Sequence, residues 1–350
     1  MLSLCMIVKN EEKTLNQCLK VVKDYVDEII IVDTGSHDKT KEISLKYTDK
    51  VFDFEWCNDF AKARNFSISK ASNDWILILD ADEIIENIDL NTVKQFCNED
   101  YNIVGRLKRI NVYEDNYGTK KYIERVNRLF NRNYFQYEGI IHEQVVCKQN
   151  TAYNTKNIDV CLNHIGYSKE VVNRTNKIER NIELLKIASE NNMNDPYIYY
   201  QLGKSYFMKK DFSESYRCFK KALNLVDNFH YEYVKDLVES YGYTLINLNL
   251  FDKALDLYSY EKYYGNSPDF LFLLGIIEMN NGNFQKSAET FLKCTDFDEG
   301  SIEGITSFLP VYNIGVIFEC LGFKDDAVNY YTMCGDYEPA KQRIKIRTSL

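Results

Sequence analysis

The stretch that decides the fold of the first half of the chain is "NDWILILDADEII", residues 73–85. A run of four apolar residues, 76–79, leads directly into Asp80, Asp82 and Glu83. A short apolar run of this kind is typical of a buried strand, and ligands of an open parallel sheet bind at the carboxyl ends of its strands. Acids two residues apart can reach one cation there, and their oxygens suit Mg²⁺ or Mn²⁺. The stretch therefore predicts that Asp80 and Asp82 bind a metal ion whose other ligands come from a diphosphate.

Around this stretch, short apolar runs alternate with helical patterns. The apolar runs are 2–8, 28–32, 50–54 and 75–79, and the helical patterns are 12–24, 38–47 and 59–70. This alternation predicts an α/β domain with a doubly wound, mostly parallel sheet. The strands are almost continuously apolar, which fits burial on both faces. Beyond residue 100 the pattern loosens, and we expect a mixed, partly antiparallel extension of the sheet.

The second half of the chain is helical and repetitive. A glycine is followed twelve residues later by a small residue, and four residues after that by an aromatic: Gly203, Ser215, Phe219; Gly242, Ala254, Tyr258; Gly275, Ser287, Phe291; Gly315, Ala327, Tyr331. The small residues let two helices approach closely, and the aromatic fills the gap between hairpins. Residues 199–225 match the tetratricopeptide pattern, and four such units suffice for a stable stack. An ordinary helical bundle is the alternative, which the repeated offset disfavours.

These two textures predict an α/β domain at 1–172, a linker helix at 173–195 and an all-α tetratricopeptide-type solenoid at 196–350. The net charge of −9 argues against broad electrostatic binding of nucleic acid. Ten cysteines without a C-x-x-C spacing favour reduced thiols over a zinc or redox site. With no signal peptide and no apolar run of membrane-spanning length, we expect a cytoplasmic protein without a transmembrane segment.

Other polar residues fall at the same predicted edge of the sheet. Asp33 ends the second strand in "VDTGSHDKT" (32–40), and Asn10 and Glu11 follow the first strand in "VKNEE" (8–12). Arg64 lies on a predicted helix in "CNDFAKARNFSI" (57–68). A carboxylate at Asp33 can accept an N–H from a base edge, and Arg64 can face a diphosphate. Helix capping explains Ser36 and Asp38 in this stretch but not Asp33, and Arg64 alone could be a surface cation. The combination of these residues favours a nucleotide site.

Three other sites that use paired acids fit this chain less well. An EF-hand loop starting at Asp80 needs glycine where Ile85 stands. A phosphatase that forms an aspartyl-phosphate usually has Thr or Ser at the position of Ile84. A nucleotidyltransferase normally needs a glycine-rich loop after the first strand, and "VKNEEKTL" has no glycine.

Four segments, in this order and spacing, resemble the family 2 glycosyltransferases of the GT-A fold: "MIVKNEE", "VDTGSHDKT", "DFAKARN" and "ILILDADE". More narrowly, the chain resembles the bacterial subgroup that joins such a domain to tetratricopeptide repeats. The resemblance covers about residues 1–170 and 196–340. It implies that Asp33 contacts the uracil of a UDP-sugar and that Arg64 lies near the nucleotide. It also implies that Asp80 and Asp82 bind the nucleotide-sugar and its metal, chiefly through Asp82, and that transfer inverts the anomeric carbon.

The catalytic base is expected later in the chain, on the acceptor side. In "YEGIIHEQVV", residues 137–146, we favour Glu143 as the base and His142 as a third metal ligand. The two roles could be exchanged, and an exposed turn is the plain alternative. His164, in "LNHIGY", is a second candidate ligand, although such a histidine is more often a buried hydrogen-bonding residue. Arg128, with Arg125, lines the phosphate side or is solvated.

The acceptor is predicted from the resemblance and from the repeats. The Q-x-x-R-W motif and membrane helices of processive synthases are absent from this sequence, so we expect transfer of a single sugar. A solenoid surface suits a protein or peptide acceptor, such as a flagellin or a secreted peptide, and could also form a homodimer. A Cys, Ser or Thr side chain as acceptor fits the subgroup. The alternatives are a cell-surface glycan acceptor, or a non-catalytic scaffold with a decayed transferase domain.

Overall fold

The structure is a computed structural model that describes residues 1–98, 101–115, 118–167 and 177–348. The described chain divides into two compact units. The first is formed by residues 1–114 and 121–167, and the second mainly by the residues from 177 onwards. We describe each unit by itself.

The first unit is built on an eight-stranded sheet in the order β3-β2-β1-β4-β7-β6-β10-β5, with a separate β8-β9 hairpin. Strand β1 pairs in parallel with β2 and β4, and β2 pairs in parallel with β3. Antiparallel pairs join β4 to β7 and β10 to β5. The predicted parallel sheet with a mixed extension is therefore confirmed. The strands are β1 Leu2–Val8, β2 Glu28–Asp33, β3 Val51–Asp53, β4 Trp75–Ile78, β5 Glu83–Ile88, β6 Ile103–Asp115, β7 Gly118–Asn131, β8 Phe135–Glu138, β9 Gln144–Cys147 and β10 Asn154–Tyr167.

Both faces of the parallel strands are buried, as their continuous apolar sequence predicts. Along β1, Leu4 and Met6 point into one core and Cys5 into the other, because side chains of a strand alternate between faces. Helices α1 and α4 pack on the first face, and α3 packs on the second. The helices of this unit are α1 Leu15–Val22, α2 Thr40–Ser44, α3 Phe60–Lys70 and α4 Leu90–Asn98.

A buried carboxylate holds the start of β2 in place. Glu28 accepts hydrogen bonds from Lys50, from the hydroxyl of Ser3, and from both the backbone N–H (2.8 Å) and the hydroxyl (2.7 Å) of Ser72. Burial alone would raise the pKa of Glu28, but these donors outweigh burial and lower it to about 2. The ionised carboxylate therefore stabilises the sheet where the parallel strands begin, at the end opposite their carboxyl ends.

The second unit consists of stacked helical hairpins. Its helices are α5 Lys177–Asn191, α6 Pro196–Met208, α7 Phe212–Leu225, α8 Glu232–Asn247, α9 Phe251–Ala254, α10 Glu261–Tyr264, α11 Pro268–Asn280, α12 Phe284–Cys294, α13 Phe308–Cys320, α14 Lys324–Met333 and α15 Glu338–Thr348, with a 3₁₀ helix at Leu255–Tyr260. Within the described ranges, no helix combines the length and the apolar content needed to cross a membrane.

Glycine and serine allow the helices of a hairpin to touch, as the sequence pattern predicts. A Cβ atom on Gly275 would lie 2.6 Å from the ring of Phe291, and the hydroxyl of Ser287 donates to the Gly275 carbonyl at 2.8 Å. Gly203 has the same relation to its aromatic partner, at 2.5 Å, and Gly315 to its own, at 2.7 Å. These contacts leave no room for a larger residue at the glycine.

The second repeat departs from the predicted pattern. A Cβ atom on Gly242 would lie 2.6 Å from Leu257 and 2.6 Å from Leu273, and the predicted aromatic Tyr258 is not among its nearest neighbours. The helix that begins at Phe251 gives way to a 3₁₀ helix after Ala254. A 3₁₀ helix has fewer residues per turn, so the side chain that faces the glycine is a neighbour of the expected one.

The predicted domain boundary at residue 172 lies outside the described residues. A helix, α5, does occupy most of the segment predicted as a linker helix, 173–195. It packs against α6 and belongs to the helical unit.

Candidate functional site

The candidate site lies where the central parallel strands end. Val8 on β1 is level with Asp33 on β2, and Cys5 on β1 is level with Ile78 on β4. Asp33 and Asp80 are therefore separated by one intervening strand and lie on the order of 10 Å apart. That spacing matches a ligand with a base at one end and a diphosphate at the other.

Asp33 has one carboxylate oxygen in use and one without a partner. Its Oδ1 accepts the backbone N–H groups of Gly35 (2.8 Å) and Ser36 (2.7 Å), which closes the turn after β2. Gly35 has φ +102°, a backbone conformation that favours glycine. The other oxygen, Oδ2, is buried and has no hydrogen-bond partner among the described residues. A buried acceptor of this kind is suited to a donor group on a ligand.

Asn10 and Glu11 lie at the same edge, where they join two loops. The side-chain oxygen of Asn10 accepts the backbone N–H of His37 at 2.9 Å. The backbone N–H of Asn10 donates to Ser36 Oγ at 2.9 Å. The N–H of Glu11 donates to Thr40 Oγ1 at 2.7 Å. These contacts fix the loop after β1 against the turn after β2. Direct binding of the nucleotide by Asn10 and Glu11 stays a prediction.

Arg64 joins two of the predicted carboxylates. Its Nη2 binds Asp80 Oδ1 at 2.8 Å, and its Nε binds Glu143 Oε1 at 2.5 Å. Its third nitrogen, Nη1, is buried with no partner among the described residues. Asp59 caps helix α3, and the N–H of Phe60 donates to the Ile140 carbonyl at 2.9 Å, so the segment that carries Glu143 is tied to the start of the helix that carries Arg64.

A second arginine, Arg128 on β7, binds the other oxygen of Asp80. Its Nη2 lies 2.8 Å from Asp80 Oδ2 and 2.8 Å from Glu83 Oε1. Burial alone would raise the pKa of Asp80, but Arg64 and Arg128 hold it well below its usual range. Glu83 is fully buried and also accepts the N–H of Asp80 at 3.0 Å, which fixes the turn after β4. Arg128 is therefore an internal partner of the acids and is not solvated.

Asp82, in the turn between β4 and β5, lies close to a histidine on β10, the strand that pairs with β5. His164 Nε2 on β10 lies 3.3 Å from Asp82 Oδ2. The other ring nitrogen, Nδ1, lies 2.7 Å from the side-chain oxygen of Asn111 on β6. Both His164 and Asn111 are buried. An imidazole nitrogen and a carboxylate oxygen thus converge on one point.

His142 adjoins Glu143 in the segment before β9. Its φ of +50° is uncommon for a residue other than glycine. The assignment of His142 as a metal ligand stays a prediction, as do those of Asp80 and Asp82.

Three residues that surround these acids, Arg109, Asn111 and Glu124, were not singled out by the sequence, whereas Arg128 was named there as lining the phosphate side or being solvated. Arg109 and Asn111 alternate on β6, and Glu124 and Arg128 are four residues apart on β7, so each pair faces one side of the sheet. The sequence signal that could have identified these residues is the spacing of two or four residues between polar side chains within one strand. Their partners come from strands remote in sequence, and no local pattern identifies them.

Comparison with known proteins gives this geometry a context. Residues 3–161 match the family model described as glycosyl transferase family 2, and residues 196–229 match a tetratricopeptide repeat model. A TPR repeat-containing protein of Synechococcus elongatus is 31% identical over 233 residues, which are 63% of this chain and 56% of that protein. The SPbeta prophage-derived glycosyltransferase SunS of Bacillus subtilis is 27% identical over 241 residues, 64% of this chain and 53% of that protein. The chain therefore spans about half the length of these curated relatives.

Among solved structures, the chain matches YrrB, described as a TPR protein with an unusual peptide-binding site. The match has 22% identity and a TM-score of 0.41, and it covers 52% of this chain and 88% of YrrB. Residues 3–161 are therefore similar to the glycosyltransferases of family 2 and residues 196–229 to a tetratricopeptide repeat, in agreement with the observed sheet and helical hairpins.

Proposed function

We propose that the chain is a metal-dependent, inverting glycosyltransferase that moves one sugar from a UDP-sugar to a protein or peptide side chain. The observation that carries this proposal is the arrangement at the ends of β2 and β4. A buried, unpartnered acceptor on Asp33 lies about 10 Å from Asp80, whose carboxylate binds Arg64 and Arg128. A uracil N–H at the first position and a diphosphate at the second would satisfy both.

The residues present fit a divalent cation that has few protein ligands. Asp82 Oδ2 and His164 Nε2 are 3.3 Å apart, and the opposite nitrogen of His164 is held by Asn111, as is usual for a metal-binding histidine. Among the described residues, no group of three or more acids, histidines or cysteines is arranged to hold a metal. Diphosphate oxygens and water would complete the coordination of Mn²⁺ or Mg²⁺.

Asp82 and His164 are therefore our preferred ligand pair. Asp80 and His142 stay predicted ligands. Asp80 has both oxygens bound by arginines, so it would have to exchange one of these contacts to reach a cation.

Each residue then has a distinct role in transfer. Asp33 orients the base, and the partly unpaired Arg64 offers an N–H to the diphosphate. A bound divalent cation neutralises the charge that develops on the leaving diphosphate. Glu143, held 2.5 Å from Arg64, accepts the proton of the acceptor nucleophile. The ion pair supports this assignment, because a diphosphate bound at Arg64 would lie close to the proposed base.

The repeats supply the acceptor side of the proposal. Stacked hairpins form extended surfaces that suit polypeptides. A flagellin or a secreted peptide is the kind of acceptor we have in mind, and a cell-surface glycan is the second candidate. The described cysteines are all free thiols, which supports a reducing, cytoplasmic location.

The test is donor hydrolysis. Purified protein is incubated with Mn²⁺ and a panel of UDP-, GDP- and dTDP-sugars, and free nucleoside diphosphate is measured. We expect one UDP-sugar to be consumed, with loss of activity in Asp82→Ala. Asp74→Ala is the matched control, because Asp74 is an exposed acid before the same strand β4, at its opposite end.

The outcomes separate the alternatives. Consumption of only a GDP- or dTDP-sugar would refute a UDP-sugar as the donor, although thymine has the same ring N–H as uracil and would leave the contact with Asp33 in place. Activity that survives chelation of the metal would refute the metal pair. If no donor is consumed, calorimetry with the same panel decides: binding without turnover shows that the acceptor is obligatory. Absence of binding would favour a non-catalytic repeat scaffold.

A further inference from the structure

The candidate metal pair is connected, through Asn111, to the carboxylate of Glu124. Glu124 on β7 accepts a hydrogen bond from Asn111 Nδ2 at 2.5 Å, and Asn111 in turn contacts His164. Register explains the connection, because His164 on β10 is level with Asn111 on β6 and with Glu83 on β5. Side chains from the four consecutive strands β7, β6, β10 and β5 therefore form one row across the sheet.

The direction of the hydrogen bonds along this row is fixed by Glu124, at the β7 end of the row. Arg109 binds Glu124 Oε1 through both Nη2 (2.9 Å) and Nε (3.2 Å), and it also binds Glu83 at 2.8 Å. A carboxylate held by an arginine accepts hydrogen bonds and donates none. The group of Asn111 that faces Glu124 must therefore be its NH₂, which directs the side-chain oxygen of Asn111 toward His164.

This orientation decides which nitrogen of the imidazole carries the proton. An amide oxygen is only an acceptor, so His164 Nδ1, 2.7 Å away, must be the donor. In the neutral ring the lone pair is then on Nε2, which lies 3.3 Å from Asp82 Oδ2. Two acceptor atoms at that distance repel one another until a cation lies between them.

From this row we infer that Glu124 is a positioning residue: acting through Asn111, it fixes His164 in the Nδ1–H tautomer and presents the Nε2 lone pair beside Asp82. The inference rests on the proposed function only in the use of Nε2 as a metal ligand. The tautomer itself follows from donors and acceptors within the chain.

The tautomer can be measured without metal, nucleotide or acceptor. The chain has four histidines, so ring-nitrogen NMR of ¹⁵N-histidine-labelled full-length protein gives few signals, and His164→Gln identifies the one of interest. At a pH where the ring is neutral, we expect protonated Nδ1 and unprotonated Nε2 in the wild-type protein. A protonated Nε2, alone or together with Nδ1, would overturn the inference.

Variants then test whether Glu124 sets the tautomer. In Glu124→Gln the new amide can either donate or accept, so Asn111 is free to turn and the second tautomer should appear. Glu124→Asp keeps an acceptor-only group and should retain the Nδ1–H form. Glu86→Gln is the matched control, since Glu86 accepts from Asn163 at 2.9 Å in a similar pair that involves no histidine in the described contacts. An unchanged tautomer in Glu124→Gln would refute the role of Glu124.

A second readout is the affinity for Mn²⁺ in the presence of UDP, measured by calorimetry. Loss of a group that orients a metal ligand typically weakens binding 10- to 100-fold, and we expect about that in Glu124→Gln. An altered tautomer with unchanged Mn²⁺ affinity would remove the link to the metal. The side chain of Glu124 is 33% exposed, so the variant should fold. If it does not, the wild-type spectrum and Glu124→Asp still decide the question.

Failure of this inference and failure of the proposed function give different results. The wrong tautomer would leave donor hydrolysis and its dependence on Asp82 unaffected. A wild-type protein that turns over no nucleotide-sugar would leave the tautomer measurement valid.

Discussion

Replacement of Asp33 by asparagine should change the nucleotide that the protein prefers. Oδ1 of Asp33 receives two backbone N–H groups in the turn after β2, whereas Oδ2 is buried without a partner. In Asp33→Asn the amide oxygen must keep the position of Oδ1, because only an acceptor can serve the turn. The NH₂ group then occupies the position of Oδ2 and meets the N–H of uracil, donor against donor.

The expected magnitude follows from the single contact that is lost. A hydrogen bond to a charged group contributes about 1.5–3 kcal/mol, which corresponds to about 10- to 150-fold weaker binding of UDP. Cytosine has an acceptor nitrogen at that position of the ring, which complements the new NH₂ group. CDP should therefore bind Asp33→Asn better than it binds the wild-type protein.

The assay is calorimetry of UDP and CDP with Mn²⁺ present. Asp53→Asn is the matched control, because Asp53 is level with Asp33 on the neighbouring strand β3 but has a side chain that is 76% exposed. A change of less than about threefold in UDP affinity would refute the contact between Asp33 and the base. Equal weakening of UDP and CDP would show that the substitution damages the turn and not the recognition of uracil.

Three further predictions concern stability and catalysis. Glu28→Gln should lower the free energy of unfolding by about 3 kcal/mol at pH 7, because the folded pKa is lowered to about 2. This contribution is present above the unfolded pKa, near 4.3, and is lost as pH falls toward 2, where variant and wild type should be equally stable. Gly275→Ala should destabilise the helical unit by about 1–3 kcal/mol, because the added methyl group meets the ring of Phe291. Glu143→Gln should lower the rate of transfer at least about 100-fold while UDP still binds.

The controls for these predictions use features of each unit. Both tryptophans, Trp56 and Trp75, lie in the first unit, so urea unfolding followed by their fluorescence reports on Glu28→Gln. Glu42→Gln, at an exposed acid, should leave that midpoint unchanged. A stability difference that persists at pH 2 would contradict the assignment to the Glu28 carboxylate.

For the helical unit, circular dichroism at 222 nm follows unfolding. Shortening the facing side chain, in Gly275→Ala with Phe291→Leu, should recover part of the loss if the clash is its cause. No recovery would point to another origin. For catalysis, transfer by Glu143→Gln within about threefold of wild type would exclude Glu143 as the base.

The sequence by itself determined the order of the first strands and helices and, in three of the four predicted repeats, the pairing of glycine with its aromatic residue. It did so because these features are local: apolar runs bounded by turns predict β1 to β4, and the offset from Gly275 to Phe291 repeats at fixed spacing. It also singled out Asp33 and Asp82, since polar residues at strand ends stand out against the apolar runs, and Arg64, a cation on the helix that precedes β4.

Only the tertiary structure decided which charges meet. Arg109 has no predicted role from the sequence, and Arg128 is predicted either on the phosphate side or in solvent, yet both bind the fully buried carboxylate of Glu83. His164 reaches Asp82 because β10 runs beside β5, a pairing of strands about eighty residues apart in sequence. Contacts across such distances depend on sheet order and register, and a periodicity read along one strand carries no information about its neighbour.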